Sequence, residues 1–400
     1  MRDTRSDHPT TAALHQRIDN SETHPVVTPL YQASAFTADS PYFYTRKNNP
    51  NCEELERVVA CLEEAPHAIS TTTGMAAIAL VASLLGPGDR VVLNRLIYGC
   101  SFRFFERLRR ARHLELTVLD LSRSDELERI PEDVRMVFFE TPTNPFLESI
   151  SIAAVAERAR TRSPSCLVAV DNTWATPLFQ RPLEHGADVS LYSATKYFSG
   201  HSDVMGGVVV VKSAELADRL REERFYSGAI LDPHSAWLLR RSLQTFPLRM
   251  REHQRVTDIM AEFLEDLPQI AQVYRPRVDG QQLTGYGGIL FCDLREDLAP
   301  RYQELTRALR LFDTGTGMAC VTSMIAQPYT GSHASMTADE KAAMGLDEGL
   351  IRLCFGMEDV EDLKRDLREA LESIDRTKAR IAGTPGQRKL RAAETSHARE

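Results

Sequence analysis

Short apolar runs alternate with longer amphipathic stretches between about residues 52 and 240, and this alternation limits the possible fold more than any other feature of the chain. The apolar runs cover residues 91–93, 116–119, 134–140, 167–170, 189–192 and 207–211. Segments with helical periodicity lie between several of these runs, at residues 75–85, 102–111 and 152–161. Strands that alternate with helices favour a parallel sheet covered on both faces. The sequence therefore predicts an α/β fold with a large, doubly wound domain.

The rest of the chain divides into an arm, a smaller domain and a tail. Residues 1–50 are polar and proline-containing, and they predict an extended N-terminal arm. A long helix over 233–251 is predicted to lead from the large domain (51–250) to a smaller C-terminal α+β domain (251–375). That domain has strand candidates at 288–294 and 350–355 and helix candidates at 301–311 and 360–374. Residues 376–400 are rich in Arg and Lys and predict a disordered tail.

Charge and cysteine usage exclude several classes of protein. Lys and Arg number 48 against 56 Asp and Glu, which gives a net charge of −8 and no basic field for nucleic acid. No apolar run reaches the roughly 20 residues that a membrane helix needs, and the first 16 residues lack the apolar stretch of a secretory signal. The seven cysteines are odd in number and form no C-x-x-C pair, so neither a disulfide framework nor a metal site is predicted. The protein is expected to be cytoplasmic.

A lysine and an aspartate stand at the ends of two apolar runs. Lys196 closes the segment Ser193-Ala194-Thr195-Lys196, directly after the run that ends at residue 192, and Asp171 ends the previous run. Taken alone, the lysine could be a solvated loop residue and the aspartate a turn or helix-capping residue. Parallel sheets bind ligands outside the carboxyl ends of their strands, where both residues are expected. A lysine that forms a Schiff base, with an acid that pairs with a pyridinium nitrogen, is what pyridoxal 5'-phosphate requires.

Two further segments fit the same cofactor. Ser70-Thr71-Thr72-Thr73-Gly74-Met75 precedes a helical run, and a glycine at a helix N-terminus allows the backbone amides to approach a phosphate. Tyr98, in the sequence Tyr98-Gly99-Cys100, could stack on the cofactor ring. The alternatives are an ordinary capped helix and a half-buried core tyrosine.

The order of these segments resembles the Cys/Met-metabolism family of pyridoxal-phosphate enzymes. The resemblance covers residues 24–374 and rests on the stretches YTRKNNP, TTTGMAA, YGCS, FFETPTNP, VDNTWATP, SATKYFSGHSDVMGG and LIRLCFGMED. It implies the fold-type I architecture, with a mostly parallel seven-stranded sheet between helices, a smaller C-terminal domain and an extended N-terminal arm. It also implies pyridoxal 5'-phosphate as the cofactor and a homotetramer built from two catalytic dimers.

The resemblance assigns roles to individual residues. Lys196 matches the Schiff-base lysine, Asp171 the partner of the pyridine nitrogen, and Tyr98 the stacking tyrosine that also moves protons. The positions that match phosphate-binding residues are Gly74, Met75, Ser193 and Thr195 in the same subunit, and Tyr44 and Arg46 reaching into the neighbouring subunit.

Substrate-binding positions are implied by the same resemblance. Asn144 matches a residue near the ring and the substrate, and Arg352 matches the arginine that binds the substrate α-carboxylate; without the family context, Arg352 could equally be an edge-strand arginine facing solvent. Tyr44 is also expected near the substrate. Cys100 stands where many members have glycine and where methionine γ-lyases typically have cysteine, so it either shapes the leaving-group pocket or is a small residue tolerated in a tight turn.

Two positions depart from the family pattern. Where members typically have a serine and, in several cases, a glutamate near the substrate, this chain has Gly317 and Thr322. The resemblance implies a lyase that acts by γ-elimination on a sulfur-containing or otherwise γ-activated L-amino acid. The alternatives are a γ-replacement synthase, elimination of an unusual leaving group such as halide in specialised metabolism, a plain transaminase, and a cofactor-binding protein without activity.

Overall fold

The computed structural model describes residues 8–18 and 22–382. Its larger sheet has seven strands in the order β1-β7-β6-β5-β4-β2-β3. The strands are β1 (His67–Thr71), β2 (Arg90–Asn94), β3 (Glu115–Leu119), β4 (Val134–Glu140), β5 (Leu167–Asp171), β6 (Val189–Tyr192) and β7 (Gly207–Val211). The five strands from β3 to β6 in this order are parallel, whereas β7 runs antiparallel to β6 and β1 antiparallel to β7. The predicted α/β fold with a mostly parallel seven-stranded sheet is confirmed.

Helices cover both faces of this sheet, as continuous apolar strands require. Alternate residues of β5 illustrate the two faces, because Val168 and Val170 pack in one apolar core and Ala169 packs in another. The helices in this part of the chain are α1 (Pro9–His15), α2 (Pro50–Leu62), α3 (Gly74–Ala82), α4 (Gly99–Arg112), α5 (Ser124–Leu127), α6 (Ile152–Arg162), α7 (Thr176–Phe179) and α8 (Ala214–Ser227). The arm is not wholly extended, because α1 forms within it.

The predicted long helix over 233–251 is wrong as a single element. The structure has two helices, α9 (Pro233–Leu243) and α10 (Phe246–Glu265), separated by two residues. Pro247 lies in the first turn of α10, where its missing N–H costs nothing, but it could not continue a helix from α9. The boundary predicted between residues 250 and 251 falls inside α10.

The C-terminal part of the described chain contains a second, five-stranded sheet in the order β10-β11-β12-β9-β8. Its strands are β8 (Ile270–Tyr274), β9 (Ile289–Leu294), β10 (Asp313–Thr314), β11 (Met324–Ala326) and β12 (Leu350–Cys354), and its helices are α11 (Tyr302–Ala308), α12 (Ala338–Ala343) and α13 (Val360–Ala382). A separate apolar core forms between this sheet, α10, α11 and α13. The predicted strands at 288–294 and 350–355 therefore belong to one smaller α+β unit.

Two predictions concern the ends and the surroundings of the chain. Helix α13 extends seven residues into the segment predicted as a tail, and residues 383–400 lie outside the described residues. Within the part of the chain that the structure describes, no helix combines the length and the apolar character needed to cross a membrane.

Candidate active site

A cavity of about 600 Å³ opens at the carboxyl ends of β4, β5 and β6. Ten of the twelve residues singled out in the sequence line it, namely Gly74, Met75, Tyr98, Cys100, Asn144, Asp171, Ser193, Thr195, Lys196 and Arg352. Ligand binding at this edge of a parallel sheet follows from the fold, because the loops after neighbouring strands meet there. Residues that are as much as 278 positions apart in sequence thus share one cavity.

Lys196 lies four residues after the end of β6, in a turn in which its N–H donates to the Ser193 carbonyl at 3.1 Å. Its side chain is half-buried. Burial lowers the pKa of the Lys196 amine, and the positive charge of Arg352 lowers it further. A lowered pKa favours the neutral amine, which is the form that attacks a carbonyl or accepts a proton.

Asp171 is the last residue of β5 and is held by Thr173. Its Oδ1 accepts hydrogen bonds from the Thr173 N–H at 3.0 Å and from the Thr173 hydroxyl at 2.5 Å. That hydroxyl in turn accepts the Ser193 N–H at 2.8 Å, so its proton is committed to Asp171. Burial raises the pKa of Asp171 to about 6, although the two hydrogen bonds from Thr173 act in the opposite direction.

The N-terminus of α3 and the hydroxyl groups of Ser193 and Thr195 line the same cavity. Gly74 is the first residue of the helix, and the Thr73 hydroxyl caps it by accepting the Ala76 N–H at 3.0 Å. A Cβ atom on Gly74 would lie 2.7 Å from the Cβ of Ser193. Only glycine therefore allows the first amides of the helix to lie this close to Ser193. Helix-terminal amides beside hydroxyl groups, with Thr195 also lining the cavity, form an anion cradle.

Tyr98 precedes α4, and its N–H donates to Glu140 Oε1 at 2.7 Å. Burial raises the pKa of the Tyr98 phenol, and a hydrogen bond with the Cys100 side chain raises it further. The next residue, Gly99, packs closely against a C-terminal segment, since a Cβ there would lie 2.8 Å from the Ser332 carbonyl oxygen. The backbone at Tyr98 and Gly99 is thus held between β4 and the segment around Ser332, which forms another wall of the cavity.

Arg352 lies in β12, between β11 and β9, so the alternative of an edge-strand arginine facing solvent is wrong. Its side chain is 3% exposed, and its Nη2 donates to the carbonyls of Gly317 at 2.9 Å and Thr316 at 3.2 Å. Among the described residues, its Nε has no hydrogen-bond partner, and neither has the buried Oδ1 of Asn144. Both residues line the cavity, so a polar ligand bound there could pair with these two atoms.

Tyr44 and Arg46 lie away from this cavity. Arg46 donates to the Phe225 carbonyl at 3.3 Å, and its guanidinium lies 4.4 Å from the centre of the Phe225 ring. The Tyr44 side chain is 39% exposed. Neither residue reaches the cavity of its own chain, and their expected contact with a neighbouring subunit stays a prediction.

Several residues that line the cavity had no role assigned to them from the sequence. Glu140 and Trp174 lie within the stretches FFETPTNP and VDNTWATP, and Glu140 ends a strand just as Asp171 does, which is the signal that could have identified it. Of the two departures, Gly317 lies beside Met324, whose Sδ would be 2.6 Å from a Cβ at position 317. Thr322 is exposed and donates to Cys320 Sγ at 3.7 Å.

These features fit pyridoxal 5'-phosphate. The cavity supplies a half-buried lysine with a lowered pKa, a fixed carboxyl group, an anion cradle that a Cβ would fill, and an aromatic side chain beside them. Each is a separate requirement of this cofactor: covalent attachment, a partner for the ring nitrogen, phosphate binding and ring stacking.

Comparisons with known proteins agree with this geometry. The model of the family described as Cys/Met metabolism PLP-dependent enzyme matches residues 10–372. The chain is 36% identical to an L-methionine gamma-lyase of Pseudomonas deceptionensis in an alignment of 390 positions that covers 91% of this chain and 97% of the relative. It is also 36% identical to a cystathionine gamma-lyase of Bacillus subtilis, covering 91% of this chain and 99% of that protein.

A solved structure extends the comparison to the fold. The crystal structure of cystathionine gamma synthase from Xanthomonas oryzae, in complex with aminoacrylate and cysteine, superposes with a TM-score of 0.87 at 35% identity, covering 93% of this chain and all of that one. The family match spans nearly the whole chain, and the relatives are covered almost end to end. The chain therefore belongs to the Cys/Met-metabolism family of PLP-dependent enzymes.

Proposed function

We propose that the protein is a lyase that removes the γ-substituent of a sulfur-containing or otherwise γ-activated L-amino acid, with pyridoxal 5'-phosphate carried by Lys196. The observation that carries this proposal is the convergence of Lys196, Asp171, Tyr98 and Arg352 on one cavity. A binding protein without activity would not need a lysine amine of lowered pKa beside a carboxylate-binding arginine. Relatives named as gamma-lyases of methionine and cystathionine support the same reaction class.

The cofactor would be held at three points. Lys196 provides its covalent attachment, Asp171 its partner at the ring nitrogen, and the N-terminus of α3 with Ser193 and Thr195 its phosphate site. When bound, the cofactor acts as an electron sink for charge that develops at the substrate Cα. A cationic ring nitrogen next to Asp171 favours the carboxylate form of that residue, which burial alone disfavours.

Arg352 and Asn144 are suited to bind the substrate. The Nη2 of Arg352 is already engaged with two carbonyls, whereas its Nε has no partner within the described chain. A substrate α-carboxylate placed against Nε would satisfy this donor in a charge-assisted hydrogen bond. Because the guanidinium is anchored by backbone groups, it loses little conformational freedom on binding.

Lys196 and Tyr98 are placed to move protons. With the cofactor as electron sink, the Lys196 amine would take the proton from Cα, transfer it to the cofactor and, neutral again, take a proton from Cβ. The Tyr98 hydroxyl can give a proton to the leaving group at Cγ, because its raised pKa keeps the phenol protonated until a strongly basic leaving group departs. Cys100, hydrogen-bonded to Tyr98, would then lie beside the departing group. The alternative of a plain transaminase would need proton transfer only at Cα and at the cofactor.

A second candidate is γ-replacement, in which a nucleophile takes the position of the leaving group. The similarity to cystathionine gamma synthase from Xanthomonas oryzae favours it. The same residues would serve both reactions up to departure of the γ-substituent. The two functions differ after that departure. In elimination, water releases the remaining carbon skeleton as a keto acid and ammonia, whereas in replacement a second substrate forms a new bond at Cγ.

The catalytic unit we propose is a dimer, with a homotetramer formed from two dimers in the cytoplasm. Tyr44 and Arg46 would complete the phosphate site of the neighbouring subunit. Phe43 and Tyr226, which lie on the same surface, are 72% and 73% exposed, and such aromatic exposure is typical of an interface. Sedimentation of the purified protein with and without the substitution Arg46→Ala tests this arrangement, and a monomer with full activity would contradict it.

Product analysis tests the reaction. The purified holoenzyme is incubated with methionine, cystathionine, O-acyl-homoserines and γ-halogenated analogues, and products are identified by mass spectrometry. Release of an α-keto acid, ammonia and the leaving group is the expected result, and substrate recovered from deuterated water is expected to carry deuterium at both Cα and Cβ. Amino transfer to an added keto acid, without ammonia or leaving group, would contradict the lyase proposal and favour a transaminase.

A further inference from the structure

Glu140 is a second carboxyl group in the cavity, next to Asp171. It is the last residue of β4 as Asp171 is the last residue of β5, and the two are directly paired in the parallel sheet. Paired residues of adjacent strands point to the same face of a sheet, and the strands are about 4.8 Å apart. Both residues line the cavity. The site therefore has two neighbouring carboxyl groups where the cofactor ring needs one anion.

We propose that Glu140 is a positioning residue that holds the Tyr98 peptide as an uncharged carboxylic acid, so that Asp171 is the only anion facing the cofactor ring. This inference rests on the proposed function, because it concerns the same cofactor site. It adds a residue and a charge state that the mechanism above does not use.

Each of the two carboxyl groups accepts two hydrogen bonds, so the charges nearby decide which of them is the anion. Asp171 accepts two hydrogen bonds from Thr173, one from an N–H and one from a hydroxyl whose orientation is fixed by Ser193. Glu140 accepts the Tyr98 N–H and a hydrogen bond from the Trp174 side chain, and its side chain is almost wholly buried, at 3% exposure. Two anions this close together in a buried site are unfavourable.

In the part of the chain that the structure describes, the neighbours of Glu140 supply no cation to offset a negative charge. The groups that act on it are the Asp171 carboxyl from β5, the Tyr98 N–H from the turn before α4, and the Trp174 side chain after β5. Burial and the charge of Asp171 both raise the pKa of Glu140 well above its ordinary value. A pyridinium ring next to Asp171 would stabilise the carboxylate form of Asp171 more than that of Glu140. It would therefore strengthen the preference for a charged Asp171 and an uncharged Glu140.

Holding the Tyr98 peptide places the Tyr98 ring. Tyr98 is the N-cap of α4 and has no side-chain cap hydrogen bond; its carbonyl accepts the Phe102 N–H at 3.1 Å, and its own N–H is held by Glu140. On the other side, Gly99 packs against the Ser332 carbonyl. Without an acceptor at position 140, the Tyr98 N–H would be left unsatisfied. The peptide that carries the Tyr98 ring would then lose the contact that fixes its N–H.

The test compares Glu140→Gln with Glu140→Ala, using the pH dependence of the bound cofactor's visible absorption. Glutamine keeps an acceptor for Tyr98 and is uncharged, so the pH midpoint is expected to stay at the wild-type value while turnover falls by about threefold. Alanine removes the acceptor, so turnover is expected to fall about 10- to 100-fold at every pH. Asp171→Asn is the control that removes the anion and lowers the midpoint.

A charged Glu140 predicts a different result. Removing an anion beside the ring would lower the midpoint in Glu140→Gln by about one pH unit or more, and that shift would overturn the proposal. If Glu140→Gln binds cofactor too weakly to titrate, Glu140→Leu provides the same charge comparison. Failure of the wild-type protein to bind the cofactor through Lys196 would instead overturn the proposed function, so the two failures are distinguishable.

Discussion

The substitution Gly74→Ala tests the phosphate cradle most directly. The new Cβ would lie 2.7 Å from Ser193 Cβ, 2.8 Å from Ser193 Oγ and 3.1 Å from Ser193 Cα. Carbon atoms pack at about 3.5–4.0 Å, so the start of α3 and the turn after β6 would have to separate by about 1 Å. Because the Cα of Ser193 is backbone, rotation of the serine side chain cannot relieve the contact. Overpacking of this kind costs about 1–3 kcal/mol.

The displacement separates the two halves of the cradle, so we expect it to weaken phosphate binding in particular. With about 1.4 kcal/mol for each factor of ten, the dissociation constant of pyridoxal 5'-phosphate is expected to rise about 10- to 100-fold. Titration of the apoenzyme, followed by visible absorption, measures this constant. The affinity for pyridoxal, which lacks the phosphate, is expected to fall much less. The ratio between the dissociation constants of the two compounds should therefore be smaller in Gly74→Ala than in the wild type.

Gly86→Ala is the matched control. The nearest atom to a Cβ at position 86 is Asp89 Oδ2 at 3.7 Å, an ordinary contact, and Gly86 does not have a positive φ. This variant is expected to bind both compounds like the wild type. Wild-type affinity in Gly74→Ala, or an equal loss for pyridoxal and pyridoxal 5'-phosphate, would refute the assignment of α3 as the phosphate site.

Three further predictions concern attachment, substrate binding and acid stability. Lys196→Ala is expected to lose the visible absorption band and at least about 10³-fold in turnover; wild-type turnover would rule out its role. Arg352→Lys keeps the charge but not the fork, so KM is expected to rise about 10- to 100-fold with a smaller change in kcat; steady-state kinetics check this, and an unchanged KM would remove Arg352 from the carboxylate site. Burial lowers the pKa of His253 and of His333 to about 4, so stability is full above pH 6.5 and declines as the pH falls towards 4, by at most about 3 kcal/mol for each histidine. Urea unfolding measures this, and a His253→Gln protein should lose less stability over that range than the wild type does.

The large sheet could be predicted because its strands are apolar on both faces. Six of its seven strands follow from runs of apolar residues. Five of them are central, where a strand cannot expose a polar side, and the sixth, β3, is a partly exposed edge strand. The seventh, β1, has only two strongly apolar residues, Ala68 and Ile69, and lies at the edge of the sheet. Its pairing with β7 depends on a partner far away in sequence, which local patterns do not encode. The break between α9 and α10 is a different case, because Pro247 was visible in the sequence and local chemistry sufficed to predict it.

The cavity shows the same division between local and non-local information. Lys196, Asp171 and Gly74 stand at the ends of strands or the start of a helix, so the topology brings them together once the sheet is known. Arg352 depends on a second sheet whose placement no local pattern predicts, and only the family resemblance connected it with the others. Its surroundings could not be foreseen at all, because the carbonyls of Thr316 and Gly317 that anchor it belong to an irregular segment.

The position of Glu140 at a strand end does not determine its charge state. It satisfies the same rule as Asp171, a carboxyl group at the end of a buried parallel strand, and the sequence contains nothing that gives one of them the charge. The donors differ in origin and not in number: Thr173, two residues after Asp171, donates to it twice, whereas Glu140 accepts the N–H of Tyr98 from another loop and a hydrogen bond from the Trp174 side chain. Pairing in the sheet then places the two carboxyl groups side by side, so that the charge of one raises the pKa of the other. The chemistry of this site therefore depends on the register between β4 and β5 as much as on the residues themselves, because a shift of that register would separate the two carboxyl groups and Asp171 would no longer raise the pKa of Glu140.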